Sequence, residues 1–183
     1  MSTDSSFLTP DIRYRIAEPR DEPVLCEMLY WAVFVPVGST PPDTSVVEQL
    51  ELARYVRDWG RFGDDGVIAI ASTGDPVGAA WLRLWSEDDQ GYGFIGVNTP
   101  ELCLAVRAAF RGCGIGTRML QEILRRADQM HEVVSLSVSV QNPAVRLYER
   151  CGFTTVSIDG PSMTMKRMRG ASIDRGAADR RGC

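Results

Sequence analysis

The chain has 183 residues, 44% of them hydrophobic and 24% charged, which suits one globular domain large enough to enclose a single apolar core. A formal net charge of -4, with no strongly basic stretch before the last few residues, argues against a nucleic-acid partner, whose affinity would rest on phosphate neutralisation. No run of about 18 apolar residues is present, the first ten residues lack a basic-then-apolar signal pattern, and Cys26, Cys103, Cys113, Cys151 and Cys183 form an odd set without CxxC spacing. The expectations are therefore a cytoplasmic protein with no membrane partner, no disulfide framework and no metal site.

Residues 1–11 read as a flexible N-terminus. From 12 to 17 the run IRYRIA alternates apolar and basic residues, as a half-buried strand does. Asp21 is placed to cap a first helix, in which Val24, Leu25, Met28, Leu29 and Ala32 recur at helical spacing until Pro36. Ser45 and Glu48 make a capping-box pair that predicts a second helix through Leu50, Ala53, Val56 and Trp59 to Gly60. Two apolar runs, 67–71 and 77–85, flank Ser72-Thr73-Gly74-Asp75 and predict a hairpin. Residues 87–98 show no sustained period and read as a long connecting loop, before a fourth strand over 101–107.

The segment 115–130 carries Ile115, Met119, Leu120, Ile123, Leu124 and Ala127 on one helical face and Arg118, Gln121, Glu122 and Arg125 on the other. Residues 133–140 alternate Val or Leu with Ser135, Ser137 and Ser139, which is strand periodicity. Asn142 is a good N-cap, Pro143 suits the first helical position, and Gly152 sits where a left-handed C-cap is wanted. Residues 153–158 and 162–168 flank Asp159-Gly160 as a second hairpin. The Arg-, Gly-, Ala- and Asp-rich residues 169–183 have no apolar face and read as a flexible tail.

The chemistry-bearing feature is a strand, then Arg111-Gly112-Cys113-Gly114-Ile115-Gly116-Thr117, then the strongest helix. Glycines let main-chain N–H groups approach an anion closely, and a helix N-terminus adds unpaired donors and partial positive charge. A pyrophosphate is the natural guest, and a glycine-rich turn that only packs helix on sheet is the plain alternative. A dinucleotide fingerprint fails because Thr117 stands where its last glycine belongs, and a Walker loop fails for want of Gly-Lys-Ser/Thr.

The pattern R-x-x-G-x-G over 111–116, after a strand reading ELCLAV (101–106), resembles the acetyl-CoA motif of the GNAT acyltransferases. SLSVSVQNPAVRLYERCGF, residues 135–153, is similar to the strand and helix that complete the cofactor cleft in that superfamily. The resemblance spans about 12–168. It implies a GNAT-like mixed α/β fold, a seven-stranded and mainly antiparallel sheet splayed between its fourth and fifth strands, with about four helices. It further implies that the pantetheine arm of acetyl-CoA pairs with backbone of Leu104, Ala105 and Val106, and that amides of Gly112, Cys113, Gly114, Ile115, Gly116 and Thr117 hold its pyrophosphate with Arg111 nearby. Asn142 would contact the pantetheine as well as cap its helix.

The activity implied is direct transfer of an acetyl group to an amine in a ternary complex. An alkylammonium with a pKa of about 10.4 needs a base to free its lone pair. Glu101 is the candidate base, with a solvated strand-end carboxylate as the alternative. Tyr148, six residues after Asn142, matches the tyrosine that protonates the departing thiolate in relatives; packing between helix and sheet is its plainer role. His131, the only histidine, cannot assemble a catalytic triad or a histidine cluster. Trp81, Trp85, Tyr30 and Trp31 are candidates for an acceptor pocket or for core, and Glu87, Asp88 and Asp89 for attracting a cation or for plain solvation. A homodimer is common among similar proteins. An idle acyl-CoA-binding or sensing module is the rival reading, and the acceptor is not legible.

Overall fold

A computed structural model describes residues 11–172; the N-terminal residues 1–10 and the expected tail from 173 onward lie outside it. Seven strands form one sheet: β1 (Ile12–Ile16), β2 (Asp65–Ala71), β3 (Pro76–Arg83), β4 (Glu101–Val106), β5 (Val133–Ser139), β6 (Thr154–Asp159) and β7 (Ser162–Met168), in the order β1-β2-β3-β4-β5-β7-β6. Every neighbouring pair is antiparallel except β4 and β5. The α-helices are α1 (Glu22–Ala32), α2 (Leu50–Ala53), α3 (Ile115–Met130) and α4 (Val145–Arg150).

The continuous apolar runs of β2 and β3 follow from burial on both faces. On one face Val67, Ala69, Ala80 and Leu82 meet the α3 stripe of Met119, Leu120, Ile123 and Leu124, together with Val134, Leu136 and Phe153. On the other, Ile68, Ile70, Ala79 and Trp81 meet Leu25, Met28 and Leu29 of α1 and Tyr55, Val56 and Trp59 of the segment after α2. Alternation along each strand thus supplies two cores, and the helices form an outer layer on each side.

The expected strands, the long loop and α3 stand where the sequence puts them, α3 over the same sixteen residues. The second helix does not. Thr44–Glu48 is a 3-10 turn capped by Asp43, whose Oδ1 accepts from Ser45 N at 2.9 Å, and α2 covers only Leu50–Ala53. Beyond α2, tertiary bonds replace helical ones. Buried Arg83 donates to the carbonyls of Arg54 at 2.6 Å and Arg57 at 2.8 Å, and Trp81 Nε1 donates to that of Tyr55 at 3.1 Å. Asp21 likewise makes no side-chain cap for α1. It accepts two bonds from Arg15, at 2.6 and 2.7 Å, and one from Glu18 N, which bind the helix start to β1.

Arg83 is held by a two-pronged bond to Asp64, Nε to Oδ1 at 3.0 Å and Nη2 to Oδ2 at 2.7 Å, and both side chains are sealed from solvent. Removing one partner of such a pair strands a buried charge, which costs far more than losing a surface pair. Asp64→Ala is expected to lower unfolding free energy by about 3 to 5 kcal/mol. Urea denaturation measures it, and a loss within the range of a surface substitution would show that Arg83 finds other compensation.

Candidate active site

Backbone divergence builds the cleft. β4 and β5 share one register pair, Glu101 with Ser135, supported by Ser135 N donating to Pro100 O at 3.0 Å. Beyond it the two strands part, leaving the β5-facing edge of β4 without a strand partner. The opening has a volume of about 1750 Å³ and is lined by Leu104, Ala105, Val106, Asn142 and Tyr148 along its walls and by residues 110–118 at one end.

At that end the glycines serve defined needs. Gly112 and Gly114 adopt φ of +82° and +76°, a region that side chains disfavour. Gly114 is the residue before α3, and the amides of Ile115, Gly116 and Thr117 occupy the first turn, where no carbonyl one turn earlier receives them. Gly116 stands over β4, since a Cβ there would lie 3.5 Å from Val106 Cγ2. Arg111 lines the cleft, and its guanidinium donates to Val106 O at 2.9 Å and Trp31 O at 3.0 Å, clasping α1 to β4. Asn142 Oδ1 accepts from Ala144 N at 2.9 Å, the capping bond expected of it, although regular helix begins only at Val145.

Glu101 sits at the fork where the strands separate. It is 2% exposed, so the solvated strand-end alternative fails, yet it lines the cleft. Three donors converge on its carboxylate: Tyr55 Oη on Oε1 at 2.9 Å, Gly93 N on Oε1 at 2.8 Å and Trp85 Nε1 on Oε2 at 2.8 Å. Burial penalises the charged form and dominates, raising the pKa to about 7, while the three donors hold it from rising further. Tyr92 N in turn donates to Tyr55 Oη at 2.6 Å, fixing which way that hydroxyl points.

The 87–98 loop therefore does more than connect. A Cβ on Gly91 would strike Glu101 Oε2 and the Trp85 indole, and one on Gly93 would come within 2.8 Å of Glu101 Oε1 and Ser137 N. Only glycines let this backbone close over the carboxylate. Tyr55, Tyr92, Gly91 and Gly93 are the residues that sequence reasoning missed. The Gly-Tyr-Gly of 91–93 was the one local signal, but nothing in the sequence tied it to Glu101.

Tyr148 lies on α4, buried against Phe153 with ring centroids 5.8 Å apart, and its hydroxyl makes no hydrogen bond among the described residues. Burial pushes its pKa up, so the phenol stays protonated. Cys103 lies between the two candidates on β4; burial and the Glu101 charge push its thiol up as well. Trp81 and Trp85 belong to the core, Trp85 also serving Glu101, whereas Tyr30 and Trp31 line the cleft. Asp89 of the acidic loop pairs with Arg54 at 3.1 Å. His131 closes the C-terminal end of α3, away from the cleft.

The model of the acetyltransferase (GNAT) family matches residues 29–153, from the end of α1 through the glycine loop to Phe153. The chain belongs to the GNAT acetyltransferase family. Solved GNAT structures share its fold. A GNAT-superfamily phosphinothricin acetyltransferase from Sinorhizobium meliloti, in complex with acetyl-CoA, is 19% identical, with 87% of this chain and 89% of that one covered at a TM-score of 0.61. An N-acetyltransferase from Thermoplasma acidophilum in complex with coenzyme A is 17% identical, covering 86% and 99% at 0.61. A ribosomal-protein-alanine N-acetyltransferase from Brucella melitensis is 22% identical, covering 85% and 99% at 0.58. No curated protein sequence matches the chain significantly. Among the described residues there is no helix long and apolar enough to cross a membrane and no cluster suited to a metal ion.

Tyr55→Phe deletes a donor that favours the ionised form of Glu101, so the carboxyl is expected to titrate at higher pH than in the parent GNAT domain. Carbon-13 NMR of labelled glutamate carboxyls reads this directly. An unmoved midpoint would mean that the Tyr55 bond adds nothing to the carboxylate.

Proposed function

We propose that this GNAT protein transfers an acetyl group from acetyl-CoA to an amine by direct attack in a ternary complex, with Glu101 as general base and Tyr148 as general acid. The observation that carries the reading is the buried, triply bonded Glu101 at the fork of β4 and β5, ionising near neutral pH. A carboxylate with that pKa accepts a proton far more readily than an ordinary one and is still ionised in about half the molecules at pH 7.

The residues present fit the cosubstrate. The edge of Leu104, Ala105 and Val106, left without a strand partner, offers main-chain groups to the amides of a pantetheine arm, as a sheet edge does to an added strand. The Gly112–Thr117 turn offers its amides to a diphosphate, and Arg118 on the cleft wall adds positive charge. Asn142 stands where it can contact the arm. Acetyl-CoA and coenzyme A in two structures of similar fold support acetyl-CoA as the cosubstrate.

In the reaction, Glu101 takes the proton from the ammonium, directly or through water, and the freed nitrogen attacks the thioester carbonyl carbon. The C–N bond forms, the C–S bond breaks, and Tyr148 supplies the proton that the departing thiolate needs. A main-chain N–H near Ala105 or Val106 steadies the negative oxygen in between. Deprotonating the amine unaided at neutral pH costs roughly 4 to 5 kcal/mol, which is what the base offsets.

Two measurements bear on the reading. Isothermal titration is expected to detect acetyl-CoA binding that Gly116→Trp abolishes by filling the first turn of α3; retained affinity in that variant would displace the diphosphate site. Binding with no thiol release for any amine would leave the idle-module reading instead. The second is a pH profile. For an alkylamine, log kcat/KM should rise with a slope of about one below pH 7, where Glu101 must be ionised to take the ammonium proton, and level off above it. In Glu101→Gln the amine must lose its proton to solvent, so a slope of about one should run through pH 7 without levelling, and a persisting bend near pH 7 would remove Glu101 from the base role.

A further inference from the structure

The two ends of the cleft differ in chemistry. The charged side chains that line it among the described residues are Arg111, Arg118, Arg150 and Glu101. The first two belong to the loop and helix start assigned above to a diphosphate, and Arg150 ends α4. The wall formed by the end of α1 and the segments around Pro42, Tyr55 and Tyr92 presents Tyr30, Phe34, Pro42, Leu52, Tyr55 and Tyr92. Tyr30 Oη donates to Pro42 O at 3.2 Å, which ties its polar tip to the wall itself. Tyr55 Oη is likewise engaged by Glu101. The Tyr92 ring stacks on that of Tyr55 at 6.2 Å and 19°, and is 62% exposed at the mouth.

Such a wall selects by what it cannot satisfy. An acceptor with a carboxylate or phosphonate would bring an anion to a wall that, among the described residues, has no lysine and beside it only Arg111, already bonded to Val106 O and Trp31 O, and a polyamine a second ammonium where Glu101 is the only lining carboxylate among them. An acceptor with one amine and an apolar or aromatic body buries that body against the tyrosines, phenylalanine and leucine while its ammonium meets Glu101 and the aromatic faces.

Resting on the acetyltransferase reading above, we infer that the acceptor is a monoamine whose remainder is apolar or aromatic and carries no second charge. Transfer is to the nitrogen, with loss of one proton, giving an uncharged amide and free coenzyme A thiol.

Matched acceptors test this with wild-type protein, acetyl-CoA and a thiol-release assay. Phenylethylamine differs from phenylalanine by a carboxylate, and butylamine from 1,4-diaminobutane by a second ammonium. The uncharged-body member of each pair is expected to have at least tenfold higher kcat/KM, and phenylethylamine to exceed butylamine. Leu52→Glu is expected to narrow or reverse the butylamine preference by giving the diamine a partner. Equal or better use of phenylalanine, of the diamine, or of a polar peptide amine overturns the inference while leaving the acetyltransferase reading intact. Absence of transfer to every amine overturns both.

Discussion

A single bridge between β4 and β5 governs the functional half of this molecule. Two parallel strands that stayed paired would satisfy each other's main chain and leave no room. Because the pairing stops at Glu101 and Ser135, β4 after Glu101 keeps one edge open, and alternate residues along it have main-chain groups to offer an incoming chain. The same stop decides where the carboxylate lies: at the crotch, with strand on both sides and protein above. Cleft and buried carboxylate are two results of one local failure to zip.

That position would be costly for a carboxylate without the loop above it. An ionised group withdrawn from water needs donors, and three come from outside β4: Tyr55 in an irregular segment, Trp85 two residues past β3, and Gly93 in the glycine loop. None of the three can be supplied by β4 itself. The ion pair of Arg83 with Asp64 acts at one remove, since Arg83 grips the carbonyls of Arg54 and Arg57 and so sets the chain on both sides of Tyr55. Rigidity around Glu101 is thus provided by the sheet, although Tyr55 sits on a stretch with little regular structure.

Legibility in the sequence tracked how local the cause was. The α3 stripe, the alternating β5 and the glycine turn before α3 are set by residues within a few positions of one another, and these agree with the structure closely. The two halves of the cofactor motif were readable for the same reason. The segment 45–60 was not: its apolar spacing suits a helix, but Arg83 and Trp81, more than twenty residues away, compete for its carbonyls and win. Glu101 was picked out by its place at the start of β4, while its burial depended on Gly91 and Gly93, whose purpose shows only when the loop is folded back. Asp21 looked like a cap and is an ion-pair partner, because Arg15 on β1 is brought beside it by tertiary structure.

The two banks of the cleft are made of different material. Along the bank proposed for the cofactor, recognition would fall to peptide groups, which are identical in every residue, so substitutions there would matter mainly where they add bulk or forbid a positive φ. Along the facing bank it would fall to side chains on α1's end and on connecting segments outside the sheet. Side chains on that second bank can therefore change without disturbing the main-chain edge and glycine turn of the first.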